Sequence, residues 1–130
     1  MNTKLPTIEE IAAIKYVSLA TFRRSGAEVK TPVWIAGEGD ILYVYTEAHV
    51  GKVKRIRNNG KARLARCDLR GKVLGEFVDA TARMVEGDAE VAQAFAALKR
   101  KYGWQMTIAT VLSTLSGKLK NRAVIALHLV

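Results

Sequence analysis

The stretch that decides the fold is Tyr16–Thr46, YVSLATFRRSGAEVKTPVWIAGEGDILYVYT. Its β-branched and aromatic residues predict three strands, at Tyr16–Arg23, Glu28–Ala36 and Ile41–Thr46. The links Arg24–Ala27 and Gly37–Asp40 are short and contain glycine, as tight turns do. Parallel strands need much longer connections, so this stretch predicts an antiparallel meander rather than a doubly wound parallel sheet.

Helical and strand patterns alternate on either side of the meander. Thr7 and Glu10 have the spacing of a capping box before a short helix. Further helices are predicted from His49 to Asn59, from an Asp88 cap to Gly103, and from Trp104 to about Leu115. Further strands are predicted at Lys61–Cys67, Val73–Val85 and Ala123–Val130. Six strands with inserted helices predict an α+β domain built on a small closed or partly open barrel.

Two strands carry additional information about their position. Pro32 cannot donate a ladder hydrogen bond, which predicts an edge, a bulge or a place where a ligand approaches the backbone. Ala123–Val130 is almost entirely apolar, which predicts a strand buried on both faces.

Length and composition suit one domain spanning 1–130. The single cysteine, Cys67, forms no internal disulfide and cannot belong to a zinc-binding cysteine cluster, so no metal site is expected. No stretch approaches the roughly 18 apolar residues of a membrane span. Met1–Glu10 lacks the apolar core of a signal peptide. We therefore expect a soluble, cytoplasmic protein.

The net charge of +9 predicts an anionic partner, such as nucleic acid, acidic lipid or a phosphorylated small molecule. The cations concentrate between Lys52 and Lys72, where Asp68 is the only acid. Within this region, Thr46–Arg57 is the best candidate site, because a threonine at a strand end is followed by a helix start with cations one turn apart. An exposed basic helix that only aids solubility explains the same pattern equally well.

Other chemistry-bearing residues are few. His49 and His128 have no metal-ligand spacing, and His128 is predicted to pack in the core. Basic neighbours could lower the pKa of Cys67, but a structural role is the stronger prediction. No phosphate-binding or dinucleotide glycine motif is present. If the protein is an enzyme, a bound cofactor supplies the chemistry, and its catalytic residues are not identified by the sequence.

Most of the chain resembles the pyridoxamine-phosphate-oxidase-like family, and it is most similar to the branch of deazaflavin (coenzyme F420)-dependent oxidoreductases. The resemblance rests on motifs that occur in order along the chain: SLATFRRSG at 18–26, TPVW at 31–34, YVYTEA at 43–48, KVKRIR at 52–57, ARCD at 65–68 followed by Gly71, and KYGW at 101–104. It implies a six-stranded split β-barrel with peripheral helices, and a homodimer that holds its cofactor between subunits.

The resemblance also implies roles for individual residues. Lys52 and Arg55 would bind the cofactor phosphate, with Thr46 nearby. Thr31, Pro32, Val33 and Trp34 would lie beside the isoalloxazine-like ring. Lys54 and Arg57 would meet the acidic tail of F420. The chain departs from the family at Val50–Gly51, where serine or arginine is frequent.

The leading hypothesis is an F420-dependent oxidoreductase that transfers a hydride to or from a small unsaturated or conjugated substrate. FMN on the same fold is the alternative, and the large cationic cluster favours F420 because of its oligoglutamate tail. A carrier that stores a cofactor or ligand without turnover stays open. A nucleic-acid-binding barrel is favoured by charge alone, because the aromatic residues do not alternate with cations as in a base-stacking platform.

Overall fold

The computed structural model describes residues 6–47, 51–103 and 122–130. Within these ranges the chain forms three helices and seven strands. In chain order they are α1 (Ile8–Ala13), β1 (Val17–Phe22), β2 (Glu28–Val33), β3 (Ile35–Glu38), β4 (Ile41–Glu47), α2 (Gly51–Asn58), β5 (Lys61–Arg66), β6 (Val78–Met84), α3 (Asp88–Tyr102) and β7 (Arg122–Leu129).

All described strands belong to one antiparallel sheet with the order β2-β1-β5-β6-β7-β4-β3. β2 and β3 lie at opposite edges of this sheet, yet only Trp34 separates them along the chain. The sheet must therefore curl until its two edges approach each other at Trp34. This curled sheet confirms the predicted α+β split barrel.

The seventh strand arises from the predicted strand Glu28–Ala36, which the structure divides at Trp34. The first half pairs with β1, where Val33 lies opposite Val17, and the second half pairs with β4, where Ile35 lies opposite Val44. The strand pattern in the sequence is continuous, but the two halves have different neighbours. Pro32 is exposed on edge strand β2, as its missing N–H predicts.

Two other boundaries differ from the sequence prediction. The predicted strand Val73–Val85 is regular only as β6, and Val73 forms a single bridge to Cys67. The predicted Asp88 cap is wrong, because Asp88 is the first residue of α3 and Gly87 occupies the cap position without a side-chain hydrogen bond. The predicted helix from Trp104 to about Leu115 lies outside the described residues.

The barrel interior is filled by alternate side chains of the strands. Leu19, Leu42, Leu64, Ile125 and Leu127 are all fully buried there. A buried leucine or isoleucine stabilises the fold by about 1.5–3 kcal/mol. α1 packs against the same core through Ile11, and its predicted capping box is present, with Thr7 and Glu10 exchanging hydrogen bonds of 3.2 Å.

The outer face of β4 and β7 is covered by α3. Tyr43, Val124 and Ala126 are buried beneath Ala94 of the helix, while Ile125 and Leu127 point into the barrel. β7 is therefore buried on both faces, which confirms the prediction from its apolar sequence. No helix of the described residues is long and apolar enough to cross a lipid bilayer.

Candidate functional site

α2 places its cations on two different sides. Val53 and Ile56 are buried and hold the helix against β1 and β6. Successive helical residues are rotated by about 100°, so Lys52 and Arg55 share one side, where both are half-buried. Lys54 and Arg57 lie roughly opposite and are exposed. The structure thus brings Lys52 and Arg55 together and separates them from Lys54 and Arg57.

Arg55 is held against β1 by a hydrogen bond. Its Nε donates to Oγ1 of the buried Thr21 at 2.6 Å. Burial lowers the pKa of Arg55, and the positive charge of Arg23 lowers it further. Within the described residues, no carboxylate forms an ion pair with Arg55. The positive charge of this half-buried guanidinium is therefore not neutralised by an ion pair within the described residues, and such a group can accept an anionic ligand.

Gly51 gives the Arg55 guanidinium its space. A Cβ placed on Gly51 would lie 2.6 Å from one terminal nitrogen of Arg55, closer than van der Waals contact allows. Arg55 therefore folds back over the first turn of α2, where backbone N–H groups have no partner within the helix. The glycine at position 51 thus permits close packing of Arg55 on the helix start.

Lys52 and Thr46 complete this pocket. Thr46 is 8% exposed near the end of β4, and its Oγ1 accepts a hydrogen bond of 3.4 Å from Lys52 Nζ. Two cations on one side of α2 therefore bond two threonine hydroxyls, one on β1 and one on β4, beside the start of the helix. Such a set fits a phosphate group. We call these residues, Thr21, Thr46, Gly51, Lys52 and Arg55, the anion pocket.

The segment Thr31–Trp34 lies close to the anion pocket along the β1–β2 pair. Thr21 is opposite Val29 and Leu19 is opposite Thr31, so Thr31 lies about 7 Å further along β2. Oγ1 of Thr31 is buried and has no hydrogen-bond partner among the described residues. A buried hydroxyl without a partner is rare, and a ligand along β2 would give it one.

The other side chains of this segment point in different directions. Pro32 is exposed, and Val33 is 7% exposed in the barrel core. Trp34 stacks on Tyr102 of α3, with ring centroids 4.5 Å apart and planes 10° from parallel. Trp34 therefore packs on the helix, and contact of this segment with a cofactor ring stays a prediction that concerns mainly its backbone.

The end of α3 holds the junction between β2 and β3. Tyr102 Oη accepts a hydrogen bond of 3.0 Å from the backbone N–H of Ile35 and donates one of 2.8 Å to the carbonyl of Lys15. Lys101 Nζ donates to the carbonyls of Ile14 and Ile35. Burial raises the pKa of Tyr102 to about 12 and lowers the pKa of Lys101 to about 8. These two residues position Trp34, a role that their sequence spacing does not reveal.

His128 and Cys67 have structural surroundings. His128 Nε2 accepts a hydrogen bond of 3.2 Å from Arg83, which also forms a bidentate pair with Glu90. Cys67 is buried, and this burial, together with the charge of Asp68, raises the pKa of its thiol rather than lowering it. His49 lies outside the described residues. Within the described ranges, no three potential metal-ligating side chains come together.

Cations lie over the aromatic rings of Phe22 and Phe77. Lys30 and Arg63 lie over the ring of Phe77 at 4.9 and 4.6 Å, and Lys61 lies over Phe22 at 5.4 Å. Arg63 also pairs with Glu28. Each of these two rings therefore has at least one cation of the same chain near its face.

The curled antiparallel sheet defines a split-barrel protein, and two cations and two threonine hydroxyls lie beside the start of its helix α2. The chain matches the family described as pyridoxamine 5'-phosphate oxidase over residues 7–130, and it belongs to that family. No curated protein matches the chain.

Solved structures share the fold at low sequence identity. The heme storage protein HutZ of Vibrio cholerae is 19% identical with a TM-score of 0.69, and the match covers 95% of this chain and 87% of HutZ. The conserved protein Rv2991 of Mycobacterium tuberculosis is 17% identical with a TM-score of 0.66, covering 94% and 79%. An F420 reductase is 14% identical with a TM-score of 0.61, covering 97% and 96%.

Proposed function

We propose that this protein is an F420-dependent oxidoreductase that acts on a small unsaturated or conjugated organic substrate. The observation that carries the proposal is the half-buried Arg55, hydrogen-bonded to Thr21 and without a carboxylate partner among the described residues, beside Lys52 in a barrel of this family. The anion pocket would hold the phosphate of the cofactor. When bound, F420 supplies the hydride chemistry, and the chain's residues bind and orient it.

FMN is the second candidate, because it also carries a ring and a phosphate. The anion pocket suits the phosphate of either cofactor. The family resemblance of the motifs at 18–26 and 52–57 supports F420, as does the presence of an F420 reductase among the proteins of the same fold. The HutZ likeness supports a third candidate, a carrier that binds a ligand without turnover. His128 does not favour heme, because its Nε2 already accepts from Arg83.

Binding of each cofactor to purified protein tests the proposal. The absorbance of any ligand released on denaturation identifies what the protein carries, and titration of the apo-protein with F420 and with FMN ranks the two. Lys52→Ala and Arg55→Ala should each weaken F420 binding by about 1.5–3 kcal/mol, the value of a hydrogen bond to a charged group. Lys99→Ala, which removes an exposed cation of α3, is the control. Wild-type affinity in both pocket variants would refute the phosphate assignment.

Turnover separates an oxidoreductase from a carrier. An oxidoreductase should change the absorbance of reduced F420 when an unsaturated substrate is added, and the rate should depend on substrate concentration. A carrier should bind F420 with the same dependence on Lys52 and Arg55 and leave its spectrum unchanged with every substrate class. Binding without turnover would support the proposed binding site and would exclude the enzymatic activity.

A homodimer in the cytoplasm is part of the same proposal. Leu69 and Leu74 in the link between β5 and β6 are 68% and 52% exposed, and the exposed Pro32 lies on the edge strand β2. A second copy would cover apolar surface here and could close the cofactor groove. Light scattering at micromolar concentration should give twice the protomer mass, and a mass near 14.3 kDa would contradict the dimer. Cell fractionation tests the location.

A further inference from the structure

Arg23 lies on the same side of the β1–β2 pair as the anion pocket. Its backbone N–H donates to the carbonyl of Ala27 at 2.9 Å, so the ladder continues one pair beyond Phe22 and Glu28. Side chains alternate along a strand. Arg23 therefore follows Thr21 on one face, about 7 Å along the strand, and Thr21 is the residue that holds Arg55.

The two arginines form a pair of like charges. The charge of Arg23 contributes to the lowered pKa of Arg55, after burial. Ion pairs of the described residues engage Arg63, Arg83 and Arg100, and no carboxylate there pairs with Arg23 or Arg55. Like charges on one face repel, and an anion bound between them converts that repulsion into attraction. The charges of the two arginines are thus not compensated by an ion pair within the described part of the chain.

Arg23 lies on a different side of the site from the exposed cations Lys54 and Arg57 of α2. Lys54 and Arg57 lie on the far side of α2, so a ligand bound at Arg55 would have to pass around the helix to meet them. Arg23 is reached without crossing the helix. A negative group attached to a bound phosphate would reach Arg23 along this face of the sheet.

We propose that Arg23 is an additional binding residue that recognises a second negative group on the phosphorylated ligand. The phosphate would lie against Lys52 and Arg55, and the second group would lie between Arg55 and Arg23. The ligand class is a phosphorylated molecule with a neighbouring carboxylate or phosphate. This inference rests on the proposed phosphate site, and it gives the site a preference for a tailed cofactor over one with a single phosphate.

Inorganic phosphate and pyrophosphate test the proposal on the apo-protein. Wild type should bind pyrophosphate more tightly than phosphate in calorimetric titration. Arg23→Ala should weaken pyrophosphate binding about tenfold, the effect of one lost charged hydrogen bond, and change phosphate binding less than twofold. Arg23→Lys should recover part of the loss. Arg24→Ala is the matched control, because Arg24 is the adjacent exposed arginine of the same turn.

The outcomes separate this proposal from the one on which it rests. Equal effects of Arg23→Ala and Arg24→Ala would mean that Arg23 contributes only to the general positive field, and the proposal would fail. The same holds if wild type does not prefer pyrophosphate. If Arg55→Ala abolishes phosphate binding in either case, the proposed function stands without the role of Arg23. If Arg55→Ala binds phosphate like wild type, the anion pocket itself is wrong and both proposals fall.

Discussion

Gly51→Ala should weaken ligand binding while leaving the fold intact. The new Cβ would lie 2.6 Å from a terminal nitrogen of Arg55, and the guanidinium is the flexible group that must move. Moving it would weaken the 2.6 Å bond from Nε to Thr21 and would shift the guanidinium away from the proposed phosphate position. We expect a loss of about 1.5–3 kcal/mol in F420 binding, roughly 10- to 150-fold in Kd.

The same substitution should not destabilise the apo-protein. Gly51 is the first residue of α2, a position that alanine also adopts. Alanine is up to about 1 kcal/mol more favourable than glycine inside a helix, although the gain is smaller at the first residue. Binding and stability should therefore change in opposite directions, which a general disruption of the site would not produce. Calorimetric titration with F420 and urea denaturation measure the two quantities.

A double-mutant cycle shows whether Gly51 acts through Arg55. In the Arg55→Ala background, Gly51→Ala should weaken F420 binding no further, because the clash is gone. Asn58→Ala at the opposite end of α2 is the control for helix propensity alone. Additive losses from Gly51→Ala and Arg55→Ala would refute the reasoning, since they would show that Gly51 affects binding without moving Arg55.

Three further predictions concern the tail, the β2–β3 junction and the network beneath α3. If Lys54 and Arg57 meet the acidic tail, removing both should flatten the salt dependence of F420 binding, since exposed charges are screened beyond about 8 Å at physiological ionic strength; an unchanged slope in isothermal titrations would exclude them. Tyr102→Phe leaves the N–H of Ile35 without its acceptor at 3.0 Å and should lower the free energy of unfolding by about 1–3 kcal/mol, with Tyr16→Phe as control; a loss below about 0.5 kcal/mol would mean that water replaces the hydroxyl. Hydrogen bonds from Arg83 and Tyr43 lower the pKa of Glu90 to about 2 from 4.5. The contribution of Glu90 to stability is therefore complete above about pH 4.5 and is lost as the pH falls towards 2. Glu90→Gln should remove this part of the acid dependence, and an unchanged curve of unfolding free energy against pH would contradict the prediction.

Local patterns in the sequence determined the elements and the class of fold. The glycine-containing turns at Arg24–Ala27 and Gly37–Asp40 require neighbouring strands to be antiparallel, and the structure has them so. The apolar run Ala123–Val130 predicted a strand covered on both faces, which is how β7 lies. Periodicity and turn chemistry act over a few residues, and they are therefore readable without the partner strands.

The division at Trp34 and the composition of the anion pocket were decided by tertiary structure. Ile35 pairs with β4 and Val33 with β1 because the sheet curls, and no local pattern distinguishes the two halves. The motif resemblance pointed to Lys52 and Arg55, but Thr21 joins them only because α2 packs on β1, 34 residues away along the chain. Helical rotation likewise separated Lys54 and Arg57 from the pocket, although they are neighbours of Lys52 and Arg55 in sequence. Contacts between distant segments depend on how buried faces pack together. That packing is set by many residues of the fold at once, so no short stretch of sequence predicts it.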